Sequence, residues 1–324
     1  MPGEQFPPDK FHPGLSPVTG DGYARAMRRH ANFVPILVTL LGLSFFGAMD
    51  GVMKAASIAV GPYGAMFWRG LVGAAMMAPL WWHQRRRAGT QGWPSRAVMR
   101  VHLIRGAVAV VMAVTFFYGL VRTPMAEAMA LSFIAPLIAL YLAAAMLGET
   151  VSRKAVGGSL LALAGVGVIA AGKFGGNYSH DGVVGLVAIL ASAVFYAWNL
   201  VLQRRQAQLA SPEEIAFFQA ALGFVFLAPG AVFLAPWPDL ATWGVIAAAA
   251  ALAMMSLMLL GWAYARAEAQ VLVPLEYTAF IWAALVGWLA FAEPVTLRTL
   301  AGVTLIVAGC LFASRRDEPH LEPT

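Results

Sequence analysis

The residues in this sequence best able to do chemistry are charged side chains set inside apolar runs. Asp50 and Lys54 stand four apart in AMDGVMK, so a helix puts them on one face. Arg69 follows Phe67 and Trp68 in FWRG, His102 and Arg105 open another apolar run, and Glu127 stands near the start of a fourth. Glu276 lies in VPLEYTAFIW, two residues after Pro274 and next to Tyr277. An ionised group in hydrocarbon is costly, so each of these must face a partner or a cavity. The chemistry on offer is the binding of charged solutes and the exchange of protons.

Each residue has a structural reading beside the functional one. Asp50 and Lys54 either neutralise each other or meet a charged substrate group. Arg69 either snorkels to the outer interface or contacts a substrate carboxylate. Arg105 is an interfacial anchor or a cytoplasmic gate and anion contact. Glu127 pairs with Arg122 or guards entry. For Glu276, Pro274 removes a backbone donor and can open carbonyls toward a cavity. The carboxylate then binds a cationic group or couples protons, unless it forms a salt bridge to Lys54 or Arg69. In FYAWNLVLQRR, Phe195, Tyr196, Trp198 and Asn199 offer a surface for stacking and hydrogen bonding an amphipathic ligand. Trp198 alternatively belongs to an aromatic belt at the interface. Tyr196 is the deeper of the two. Trp262, Tyr264 and Trp282 read as packing. Glu149 and Glu293 read as helix caps or partners of Lys154 and Arg298.

The elements carrying these residues follow from composition. The chain has 324 residues, of which 60% are hydrophobic and 12% charged. Soluble chains run at about 45–50% and about 25% respectively. Mean hydropathy is +0.71. A soluble domain, intrinsic disorder, a fibrous repeat and a disulfide scaffold are all excluded, and the single cysteine, Cys310, can form no intrachain bridge. Residues 1–32 read as a flexible polar tail without a cleavable signal. Ten apolar segments follow, at 33–56, 61–82, 98–119, 123–146, 154–172, 182–203, 212–235, 241–264, 268–291 and 296–313. Each is about long enough to cross a bilayer as a helix. The runs do not alternate as strands of a membrane barrel would.

With the N-terminus inside, 16 of the 22 Lys and Arg residues fall on the cytoplasmic side. They include Arg85, Arg86, Arg87, Arg96, Arg100, Arg204 and Arg205, whereas Arg122, Lys173 and Arg298 fall outside. That bias predicts both termini in the cytoplasm. The Arg85–Arg87 run is a topology signal before it is a nucleic-acid signal, despite a net charge of +6. No GxxxxGK[ST], HExxH, CxxC or GxSxG motif occurs, so no cofactor, metal or enzyme activity is expected.

The two halves resemble each other. An offset of 144 matches Glu149 to Glu293, Gly158 to Gly302, Gly165 to Gly309, Arg122 to Arg266 and Phe133 to Tyr277. An offset of 150 matches Lys54 to Arg204 and Phe67 to Phe217, but sets Arg69 against Gln219 and Asp50 against Leu200. Five spans per copy is an odd number, so the copies insert in opposite orientations. Phe133 and Tyr277 are then pseudo-symmetric cavity positions. Glycines such as Gly157, Gly158, Gly165 and Gly167 form small faces for close helix approach.

Over about residues 33–314 the sequence resembles the drug/metabolite transporter superfamily, specifically the EamA-type ten-helix carriers. The residues carrying the likeness are PLIALYLAAAMLGETVSRKAVGGSLLALAGVGVIA at 136–170 with its second-half partner, FFYGLVRTPMAEAMALSFIAP at 116–136, Lys54, and Arg69 in FWRG. AMDGVMK and FWRG are also similar to S-adenosylmethionine-type metabolite carriers. The resemblance implies an all-α membrane protein of two inverted five-helix repeats, 33–172 and 182–314, joined by an outer loop at 173–181 and ending in a cytoplasmic tail at 315–324. It implies a secondary active transporter of the cell inner membrane, moving a small polar or amphipathic organic metabolite by alternating access. The expected substrate-binding set is Asp50, Lys54, Arg69, Arg105, Phe133, Tyr196, Trp198, Asn199, Glu276 and Tyr277. Expected partners are the metabolite and the lipid bilayer, with energy from a substrate gradient, exchange or protons, and no nucleic acid, in a monomer or homodimer. The rival readings are a proton-coupled exporter of amino acids or drugs, and a nontransporting scaffold or receptor.

Overall fold

The computed structural model describes residues 19–87, 89, 92–147, 153–174, 180–267 and 269–313. In hydrocarbon each backbone N–H and C=O needs a partner within the protein, so long apolar runs fold as helix. The helices are α1 (Thr19–Arg87), α2 (Arg96–Leu120), α3 (Met125–Ser132), α4 (Ala135–Leu147), α5 (Arg153–Phe174), α6 (His180–Ala207), α7 (Pro212–Leu234), α8 (Leu240–Tyr264), α9 (Ala269–Glu276), α10 (Ala279–Phe291) and α11 (Leu297–Ala313). Among the described residues there is no strand, and eight helical stretches are long and apolar enough to cross a membrane. The chain is therefore an all-helical polytopic membrane protein.

Three expected boundaries shift. α1 begins at Thr19, inside the stretch read as a loose tail. The segments expected at 33–56 and 61–82 are two arms of α1, meeting without a loop at Gly61 (φ 76°, ψ 153°). A β-carbon disfavours that left-handed φ, and Pro62 then supplies no N–H to continue the helix. The segments expected at 123–146 and 268–291 are each interrupted, between α3 and α4 and between α9 and α10. Glu149, Glu268, Arg315 and Arg316 lie outside the described residues, as does the side chain of Arg204.

α1 packs mainly on α8, α7 and α10, α2 on α6, and α5 on α11. The α5–α11 contact depends on missing β-carbons. A Cβ on Gly158 would stand 2.4 Å from the Gly309 carbonyl oxygen, and one on Gly165 2.5 Å from that of Gly302. Backbones this close gain dispersion contacts that larger residues would prevent. The core holds Met53, Met125, Leu131, Ile189, Ile246 and Ile306. Phe233, Leu240 and Leu297 point outward, as hydrocarbon solvent permits. Ser95, Ser211 and Asp239 cap the N-termini of α2, α7 and α8. Hydrogen bonds from Thr242 hold the Asp239 carboxyl below the usual carboxylate range.

Candidate substrate site at the helix interruptions

The two interrupted helices meet at their breaks. Pro136, two residues into the second piece of the first, has no N–H for the Ser132 carbonyl, and the chain closes instead through Phe133 N–H to Ala130 O (3.2 Å) and Ile134 N–H to Leu131 O (3.3 Å). At the second break Thr278 N–H donates to Leu275 O (2.9 Å), and its hydroxyl donates to the same carbonyl at 2.6 Å. The rings of Phe133 and Tyr277 touch edge to face, 5.2 Å between centroids. The Cys310 thiol donates to the Phe133 carbonyl at 3.3 Å, occupying an acceptor the break exposes. Sequence alone pairs Phe133 with Tyr277, and the structure brings the two rings into contact.

Near these breaks lies a group of charged and phenolic side chains. Asp50 is buried on α1, and its Oδ2 has no hydrogen-bond partner. Arg69, on the other arm of α1, is within electrostatic reach of Asp50. Its Nη2 contacts Met66 Sδ at 3.8 Å, and its Nε is buried without a partner. Tyr196 on α6 is within electrostatic reach of both Asp50 and Glu276. Tyr264, at the end of α8, donates its hydroxyl to Glu276 Oε1 at 2.5 Å. Glu276 itself is exposed, so the group is open on that side. Two carboxylates, one guanidinium and two phenols in a low-dielectric setting can hold a solute carrying both charges.

Two polar knots flank this group. In the first, Lys54 Nζ donates to the Glu293 carboxylate and to Thr123 O (3.0 Å), and lies 5.1 Å from the Phe291 ring centroid. Glu293 Oε2 accepts the Met125 backbone N–H at 2.7 Å, where the first turn of α3 has no carbonyl for it. In the second, Glu214 Oε2 accepts from Arg85 (2.9 Å) and Trp81 (3.4 Å), and its Oε1 lies 3.3 Å from His102 Nε2. Gln206 bonds His102 Nδ1 at 2.6 Å and accepts from Arg105, which also donates to Asn199 Oδ1 (3.1 Å).

The structure thus sorts the expected site residues. It brings together Asp50, Arg69, Tyr196 and Glu276, and separately Phe133 and Tyr277. Lys54 does not neutralise Asp50. Its carboxylate is Glu293, because the short bend after α10 delivers that residue to the end of the first arm of α1, while Arg69 is the opposite charge within electrostatic reach of Asp50. Glu293 likewise does not pair with Arg298. Glu276 takes a tyrosine rather than Lys54 or Arg69. Arg105 is no interfacial anchor: it is 7% exposed and held by α6 amides, among them Asn199. Trp198 stands on the exposed stripe of α6 with Val187 and Val194, away from the polar group. Glu127 accepts from Thr299 (3.4 Å) on α11, whereas Arg122 lies over Tyr118, 3.7 Å from its centroid. Sequence reading named Asn199 but missed Tyr264, Glu214 and the other two amides, Gln203 and Gln206. A signal existed for the last: Asn199, Gln203 and Gln206 fall at i, i+4 and i+7, one stripe of α6.

Comparison with known proteins bears on the fold and the family. The model of the EamA-like transporter family matches twice, over residues 34–171 and 183–315. A pseudopaline exporter, CntI, of Pseudomonas aeruginosa is 27% identical over 282 residues, covering 86% of this chain and 95% of the relative. A riboflavin transporter of Brucella anthropi is 24% identical over 257 residues, 78% of this chain and 87% of the relative. A solved crystal structure at 22% identity shares the fold with a TM-score of 0.56, covering 87% of this chain and 98% of the other. Relatives of this kind are transporters and exporters rather than enzymes.

Proposed function

Because the chain belongs to the EamA-like transporter family, we propose that it is a secondary active transporter that moves a small polar or amphipathic organic metabolite by alternating access. The observation carrying this reading is the buried Asp50 carboxylate, with an unpartnered oxygen, in electrostatic reach of Arg69 and Tyr196. A membrane helix retains such a charge at a cost that packing alone does not return. Groups of both signs favour a zwitterionic solute. The pseudopaline exporter among the relatives favours export.

The chain crosses the membrane ten times in this reading: the eight apolar stretches, with the 55-residue one divided at Gly61 and Leu297–Ala313 added. The crosswise contacts of Gly158 with Gly309 and Gly165 with Gly302 support two inverted copies. An offset of 144 turns each contact into the other, as a twofold axis requires. The arginine distribution favours cytoplasmic termini and the inner membrane. In that orientation the Lys54–Glu293 knot closes the outer face.

The test is counterflow in proteoliposomes with labelled amino acids, amines, nucleoside derivatives and S-adenosylmethionine. Zwitterionic or cationic solutes should exchange, and Asp50→Asn should abolish the exchange. Movement of strong anions alone would remove the zwitterion reading. No flux of any solute through folded protein would favour a scaffold or receptor. Proton coupling is the second reading, favoured by the unpartnered Asp50 oxygen. It requires flux to follow an imposed pH gradient and to lose that dependence in Asp50→Asn or Glu276→Gln.

A further inference from the structure

A cavity of about 440 Å³ opens where the second arm of α1 ends, lined by Trp81, Trp82, Arg85, Arg86, Gly92 and Trp93, with Gly89 at its edge. Its size is that of a small-molecule site, about 300–1,000 Å³. It is separate from the Asp50 group, and among the described residues no carboxylate lines it. Glu214, behind it, is engaged by Arg85, Trp81 and His102. Arg86 is exposed, and its guanidinium lies over the Trp82 ring, 5.2 Å from the centroid. Trp82 and Trp93 are 55% and 71% exposed, unusual for indoles unless a membrane interface covers them. Arg87, Arg96 and Arg100 are exposed nearby in sequence.

We propose that this cavity binds the headgroup of an anionic phospholipid. Arg85 is held by Glu214 and by the Gly92 carbonyl, which leaves the exposed, fork-shaped guanidinium of Arg86 as the donor to a phosphodiester. The tryptophans sit where glycerol and the upper acyl chains emerge, since an indole offers an apolar body with a single N–H donor. Basic pockets at the end of membrane helices attract anionic lipid through the surface field as well as by contact. A soluble anion would have no use for two exposed indoles, which is why a lipid is the occupant the chemistry favours.

The experiment measures thermal unfolding of the purified full chain in detergent with added phosphatidylglycerol, phosphatidylcholine or soluble glycerol 3-phosphate. A ligand of the folded state raises Tm. Phosphatidylglycerol should raise Tm more than phosphatidylcholine does, and Arg86→Gln should remove at least half of that difference. Arg122→Gln, which removes an arginine stacked on Tyr118 outside this cavity, should leave it unchanged. Equal gains from both lipids would overturn the proposal, as would a preference that survives Arg86→Gln. An equal gain from glycerol 3-phosphate would overturn the lipid as occupant. The readout is independent of transport, so it fails or succeeds apart from the functional reading above.

Discussion

Lys54 and Glu293, 239 positions apart in sequence, form a partly buried ion pair that ties the first arm of α1 to the bend between α10 and α11. The same carboxylate caps the Met125 N–H, so one side chain fixes the start of α3 as well. Three separate stretches of chain close on each other at this point.

Removing one partner should therefore be worse than removing both. Lys54→Met leaves a half-buried carboxylate with only the Met125 N–H, and the expected loss is about 1–3 kcal/mol of stability. Lys54→Met combined with Glu293→Gln should recover a large part of it, since the glutamine can still accept from Met125. A double-mutant cycle on unfolding in detergent measures the coupling. Additive losses would mean the pair carries no coupling energy.

Asp50→Asn should behave in the opposite way. Its buried oxygen has no donor, so removing the charge relieves desolvation and leaves stability equal or higher. Transport should nonetheless fall at least tenfold in kcat/KM. Tyr264→Phe, which removes the donor to Glu276, should change KM more than Tm. Tm and counterflow measured on the same preparations separate these effects.

The α5–α11 contact makes a sharp comparison between two glycines. Gly158→Ala forces a methyl to 2.4 Å from a carbonyl oxygen, so about 1–3 kcal/mol of strain is expected. Gly167→Ala meets nothing within 4 Å and gains helix propensity, so its Tm should hold or rise. Equal Tm values for the two variants would show that the backbones do not approach as closely as described.

Glu214 joins three partners, so Glu214→Ala should cost about 3 kcal/mol, with the loss arising from Arg85 and His102 left in place. Trp81→Phe keeps a ring for stacking on Phe217, 4.5 Å between centroids, but gives up the long 3.4 Å bond to Glu214 and the volume of the buried indole's second ring. Its cost should be about 1–2 kcal/mol, below that of Glu214→Ala. Chemical denaturation of both variants checks the ratio.

The sequence by itself determined that the chain is a helical membrane protein with a duplicated plan. The cause is local: apolar runs longer than a soluble core can hide must satisfy their own backbone as helix, whatever surrounds them. It also determined that Phe133 answers Tyr277 and that Gly158 and Gly165 mark close approach, because these follow from repeat spacing, whereas Gly167, read the same way, meets nothing within 4 Å. Which charge meets which was decided by the tertiary structure alone. Helical spacing offered Asp50 to Lys54, yet a lysine stem reaches several ångströms and takes the carboxylate that folding brings to it. Glu293, in a bend, became that partner, and Asp50 was left to Arg69 across the Gly61 kink. The interruptions of the two apolar runs were equally hidden. Pro136 and Pro274 mark where a helix loses a donor, but only the packed neighbours, such as Cys310 at the Phe133 carbonyl, determine whether the break is stabilised.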